Sequence, residues 1–156
     1  FRRAERRLGT LSIEALVTSG LSNARRVGDT ADQALAIGSG GPPGTINILV
    51  GTNARLTPAA MAEALGLIGE TKAAVMVDLA YPSPVSGRPA TGTGTDSTGI
   101  YCERGADVED SVAFCGKHTL FGENLAGVVA DALEASLAWY KKKTACGLQA
   151  VPDGRS

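Results

Sequence analysis

The chain has 156 residues, 44% of them apolar, 20% charged and 4% aromatic, with a net charge of −1 at pH 7. That length is about one domain, and the apolar content suits a globular fold with a single core. So balanced and aromatic-poor a chain supplies neither the cationic surface nor the stacking platforms of a nucleic-acid binder, and no apolar run reaches the roughly 18 residues a membrane span requires.

The arginines at the start are followed by no apolar signal-peptide core, which places the expected protein in the cytoplasm, away from membranes. The chain opens on Phe1, as a fragment or trimmed chain does. Leu11, Ile13, Ala15 and Val17 then alternate with Ser12, Glu14 and Thr18, broken only by Leu16; this period of two predicts a strand over residues 10–18. Residues 19–29 lose that period and mix glycine with polar and cationic groups, as an irregular or functional loop does. The run Gly38-Ser-Gly-Gly-Pro-Pro-Gly44 reads as a flexible surface connection.

Thr45 to Val50 is a compact apolar strand. Thr57-Pro58 then offers an N-cap and a first helical residue ahead of Met61, Leu65 and Ile68 at helical spacing. Ala73 to Leu79 reads as a second buried strand, completing a βαβ unit with a right-handed crossover. A proline-rich connection over residues 81–89 leads to a strand over Ser97–Glu103. From Leu120 to Lys143, Leu125, Val128, Val129, Ala132, Leu133, Leu137 and Tyr140 form one helical face, and Lys141 to Lys143 suit the negative end of the helix dipole. The expectation is an α+β or α/β fold: one layered domain over residues 1–143, with a mixed sheet, a βαβ unit and a long C-terminal helix packed on it. Residues 144–156 are expected to be a flexible tail.

Chemistry concentrates in two segments. Thr91-Gly-Thr-Gly-Thr-Asp96 brings hydroxyls, a carboxylate and close-approaching backbone together, and Gly116-Lys-His-Thr119 carries the chain's single histidine. Two readings of His118 stand. Ahead of a long helix its imidazole is kept neutral by the dipole and suits a general base, or it merely packs at the helix start. Lys117 is placed to stabilise an anion and Glu123 to orient the ring, with Thr119 beside them. Asp96 either orients His118 or activates water, or it closes an Asx-turn. Gly92, Thr93, Gly94 and Thr95 are placed to donate amides to an oxyanion. Gly92 and Gly94 do not make a dinucleotide fingerprint, because Ser97 stands where the third glycine belongs.

Asn23, Arg25 and Arg26 are further candidates for ligand contact, with solvated surface charge the alternative for the adjacent arginines. Asn47, expected as a buried amide in an apolar strand that must be satisfied, is either a structural network residue or a ligand contact. Cys102, Cys115 and Cys146 are odd in number and form no Cys-x-x-Cys pair, so free thiols are expected. One histidine and scattered cysteines are too few for the usual catalytic metal site, so neither a metal nor any other cofactor is expected, with an all-carboxylate site left open.

Taken with Leu16-Val-Thr-Ser-Gly-Leu-Ser-Asn-Ala-Arg25 and Gly44-Thr-Ile-Asn-Ile48, the two segments make four motifs in order. In these the chain resembles the adenosylcobinamide amidohydrolase (CbiZ) family from about Leu11 to Leu137. The resemblance implies hydrolysis of the amide joining the aminopropanol arm to the corrin ring of adenosylcobinamide, yielding adenosylcobyric acid and 1-amino-2-propanol in corrinoid salvage. The cobalt corrinoid is then the substrate and partner, with homo-oligomerisation left open.

An unactivated amide needs an attacking oxygen, donors for the tetrahedral oxyanion and an acid for the leaving amine. One scheme has His118, or Asp96 in its place, activating water, with Thr95 and its neighbours holding the oxyanion. The competitor is covalent, through Ser22, Thr95, Ser97 or Cys115. A corrinoid-binding module without hydrolysis is the reading from a different class. Its D-x-H-x-x-G signature is absent, with Gly116 and Phe121 at the Asp and Gly positions. An anion-binding regulatory domain is a third reading, weakened by the missing phosphate fingerprint.

Overall fold

The computed structural model describes residues 1–31, 44–104 and 111–145. Among these described residues are six strands and two helices: β1 (Arg2–Leu8), β2 (Leu11–Ser19), β3 (Ala24–Arg25), β4 (Ile46–Leu56), α1 (Pro58–Asp78), β5 (Gly92–Thr93), β6 (Ser97–Arg104) and α2 (Leu120–Ala145). The main sheet has the order β1-β2-β4-β6, and β3 pairs with β5 in a separate two-stranded ribbon.

The alternation read in residues 10–18 is β2, whose Ile13, Ala15 and Val17 are buried. Antiparallel pairing sets Val17 opposite Ile48 and Ala15 opposite Val50, so the apolar positions of β2 and β4 share one face. A two-residue turn joins β1 to β2, with Gly9 at φ 59°, a left-handed value that glycine takes without strain. β4 and β6 run parallel, Ile48 beside Thr98 and Val50 beside Ile100. Parallel neighbours need a crossover, and α1 is that crossover. Thr57 caps α1, its hydroxyl accepting from the Ala60 amide at 3.1 Å, with Pro58 at the first helical position.

The mixed sheet, the βαβ unit and the long packed C-terminal helix are as expected, but the βαβ unit closes differently. Ala73 to Asp78 are the last turns of α1, and the returning strand is β6. Alanine and methionine favour helix, and with no proline after Pro58 in α1 the helix runs on through Gly69, whose cost its neighbours offset. Ile68, Val75 and Met76 of α1 meet Leu125, Val129, Leu133 and Leu137 of α2 in a single buried cluster with the sheet. α2 also extends to Ala145, two residues into the expected tail; residues 146–156, and most of the Gly38–Gly44 connection, lie outside the described residues. The strand β1 was not anticipated, and its Arg6 reaches Asp131 of α2 at 2.9 Å. No helix among the described residues is long and apolar enough to cross a membrane.

Candidate functional site

α1 runs back against the parallel pair, so its C-terminal half lies over the N-terminal ends of β4 and β6. Three of the four sequence motifs meet there. β3 pairs with β5, setting Ala24 opposite Thr93 and Arg25 opposite Gly92. The Gly94 amide donates to the Asn23 carbonyl at 3.0 Å and the Thr91 amide to the Arg25 carbonyl at 2.9 Å. Gly44 and Thr45 lead into β4 alongside: the Thr45 and Thr95 hydroxyls are 2.5 Å apart, and Thr95 Oγ1 lies 3.3 Å from the Gly44 carbonyl oxygen.

The glycines of these motifs make the contact possible. A Cβ on Gly44 would sit 2.6 Å from the Ser22 hydroxyl and 2.7 Å from the Asn23 amide nitrogen, and one on Gly94 would sit 2.7 Å from Asn23 Nδ2. Either is too close for real atoms. The Asn23 carboxamide therefore lies flat against Gly94, and it makes no side-chain hydrogen bond to another described residue. A carboxamide there offers a donor and an acceptor to another amide.

Asp96 is the hub of the cluster. Its Oδ2 receives the Lys72 ammonium at 2.5 Å and the Thr93 amide at 3.0 Å; its Oδ1 receives the Thr93 hydroxyl at 2.5 Å and the Ile46 amide at 3.1 Å. Four donors fill the acceptor positions of one carboxylate, leaving none open to take a proton from water. The sequence placed Asp96 either in an Asx-turn or beside His118; its bond to the Thr93 amide runs back three residues, so it closes the loop from the other side and is not an Asx-turn, which reaches two residues on. Lys72 was missed. It stands on α1 directly before the stretch that resembled a strand, and its partner Asp96 is 24 residues away, so no local pattern assigned it a face.

The fourth motif lies elsewhere. Thr119 caps α2: its hydroxyl accepts from the Gly122 amide at 2.9 Å and donates to the Gly116 carbonyl at 2.8 Å. Lys117 pairs with Glu70 of α1 at 2.5 Å, both side chains well exposed. Cys115 is anchored to α1 too, its amide donating to Glu63 at 2.7 Å. Glu63 and Glu70 are two turns apart on one side of α1, whereas Lys72 projects about 200° round from Glu70 at roughly 100° per residue. His118 and Asp96 thus flank α1 on opposite sides. His118 is exposed, and no hydrogen bond joins it to Asp96, Glu123 or any other described residue. The expectation that the imidazole and the hydroxyl-rich loop share one cleft is not met.

Two further expectations change. The amides of Thr93, Gly94 and Thr95 are committed to Asp96, to the Asn23 carbonyl and to the Thr93 hydroxyl respectively, so they are not open to an oxyanion. Asn47 is exposed rather than buried: its Nδ2 donates to Thr18 at 3.0 Å on the helix-free face of the sheet. There it lines a hollow of about 310 Å³ with Leu16, Thr18, Leu49 and Ser97. Arg25 lies in β3 with its own interaction partner. Gly92 is buried, and the space a side chain would need there is taken by Asp96 and Lys72.

Burial and the neighbouring Glu63 and Cys102 push the Cys115 thiol up to about 11. A thiol so raised is a poor nucleophile at neutral pH. Beside the cluster, hydrogen bonds from Ser83, Ser86 and the Arg26 amide hold the Asp29 carboxyl down at about 2. No group of three or more His, Cys, Asp or Glu among the described residues is arranged to hold a metal ion.

Among curated proteins, an uncharacterised protein of Methanocaldococcus jannaschii is 39% identical over 87 residues, which cover 55% of this chain and 32% of that protein. The match thus spans about a third of the length of that relative. No solved structure matches the chain. The family model for adenosylcobinamide amidohydrolases matches residues 1–145. That span takes in the three converging motifs and the turn before α2, and the chain belongs to the adenosylcobinamide amidohydrolase (CbiZ) family.

Proposed function

We propose that the chain hydrolyses the amide linking the aminopropanol arm to the corrin ring of adenosylcobinamide, giving adenosylcobyric acid and 1-amino-2-propanol. The observation that carries this reading is the meeting of three separate motifs in one cluster, within a chain of this family. The cluster presents groups suited to a carboxamide. Asn23 pairs with the substrate amide, and the exposed Thr95 hydroxyl, accepting from Thr45, turns its one proton from the Gly44 carbonyl to the substrate carbonyl oxygen as that becomes an oxyanion. Asp96 takes no proton in this scheme; it fixes the turn that carries Thr95. Asn47 and Thr18 are polar groups in the mainly apolar hollow on the helix-free face of the sheet.

A second reading has a specific observation in its favour. With Asp96 filled by four donors and His118 on the other flank of α1, the cluster lacks an evident acid–base pair, as a corrinoid-binding module without hydrolysis would. Incubation with adenosylcobinamide, followed by mass spectrometry for loss of the aminopropanol unit, separates the two. Loss of that unit supports hydrolysis. Binding without a mass change favours the module, and neither binding nor turnover removes both.

A further inference from the structure

Lysine is seldom buried, because desolvating its ammonium is costly unless a partner compensates. The Lys72 side chain is nevertheless only 17% exposed and its partner Asp96 9%. A partly buried pair of this kind is a weak source of stability, so its value lies in what it fixes.

What it fixes is specific. The Asp96 carboxylate receives Lys72 from α1, the Ile46 amide from the start of β4, and both the amide and the hydroxyl of Thr93 from β5. It sets the spacing between the entry of β4 and the turn after β5. Thr45 sits one residue before Ile46 and Thr95 one residue before Asp96, so the same carboxylate sets the distance between the two hydroxyls. Gly92 is packed onto the pair so closely that a Cβ there would meet both side chains, 3.1 Å from Lys72 Nζ. Among the described residues, the ammonium that pairs with this carboxylate comes from α1. Without it, Asp96 is a partly buried anion held by neutral donors alone, and it gains by turning toward water and releasing the turn.

We propose that Lys72 is a positioning residue for the amide-cleaving site, acting through Asp96 to hold Thr95 against Thr45; this rests on the hydrolytic reading above. It does not touch the substrate. Its loss therefore lowers turnover and leaves substrate affinity nearly intact.

The test is steady-state hydrolysis of adenosylcobinamide by the wild type, Lys72→Met and Lys72→Arg, with melting temperatures. Lys72→Met should lower kcat by roughly 10- to 100-fold with KM within about 3-fold, the range expected when reacting groups are displaced by about an ångström. Lys72→Arg restores the charge and should recover kcat to within about 3-fold of wild type, a rescue that mere space-filling does not predict. Wild-type turnover in Lys72→Met, or an arginine variant as slow as the methionine one, overturns the proposal while hydrolysis stands. A wild type that leaves the substrate intact overturns the hydrolytic reading and this proposal with it. Should Lys72→Met fail to fold, Lys72→Gln replaces it with the same two outcomes.

Discussion

The Asn23 carboxamide occupies the space in which a side chain at position 94 would stand, its Nδ2 only 2.7 Å from where a Gly94 Cβ would be. Gly94→Ala should push this carboxamide out of the cluster. Kinetics with adenosylcobinamide should show a rise in KM of roughly 10-fold, as when one substrate-binding amide contact is lost, with a melting temperature within a few degrees of wild type. An unchanged KM would remove Asn23 from the binding site.

His118→Ala tests the separation across α1. The side chain is exposed and carries no hydrogen bond to a described residue. The variant should melt as the wild type does, and turnover should stay within about 3-fold, since a general base ordinarily contributes 10²-fold or more. A loss of that larger size would return the imidazole to the chemistry and require the turn before α2 to move.

Cys115 is buried and its thiol is pushed up to about 11, so almost no thiolate forms at pH 8. Iodoacetamide at that pH should modify the part-exposed Cys102 well before Cys115, as peptide mapping would show. Cys115→Ala should keep turnover near the wild-type value; its abolition in a folded variant would reinstate a covalent thiol route.

Asp29 gives a prediction in pH. Its carboxyl is held at about 2, against an ordinary 3.8, chiefly by the Ser83 hydroxyl, then by Ser86 and the Arg26 amide. A depressed carboxylate stabilises the fold above its unfolded value, and that contribution is lost as pH falls through the folded one. Asp29→Asn should melt lower than wild type at pH 7, and the gap should narrow between about pH 4 and pH 2. A gap independent of pH would mean that Asp29 acts through packing alone.

The elements legible in the sequence were those whose burial leaves a period. Ile13, Ala15 and Val17 announce β2, and Leu125, Val129 and Leu133 announce α2, because each set packs on one face. β1 was silent for a physical reason: its inward positions include Arg2, stacked 5.3 Å from the centre of the Trp139 ring, and Arg6, paired with Asp131. Long cations that lay their stems on a helix leave no apolar alternation to read. Ala73 to Asp78 misled in the opposite way, since a short apolar run fits a buried strand and a buried helical turn equally well.

For the candidate site, the motifs named Thr93, Thr95, Asp96 and Asn23 because hydroxyls, carboxamide and glycine cluster locally in the chain. Lys72 and the engaged backbone amides were out of reach, since both depend on contacts between distant segments. The placement of His118 failed likewise: its distance from Asp96 is set by α1 lying between them, not by the 21 intervening residues.

The arginines of β1 have a bearing beyond the fold. Among the described residues β1 borders only β2, and it carries Arg2, Arg3, Arg6 and Arg7 in a seven-residue strand. Two copies drawn together along that border would have to crowd like charges and strip their hydration. The fold thereby discourages fibrillar stacking at a margin whose backbone groups would otherwise invite it.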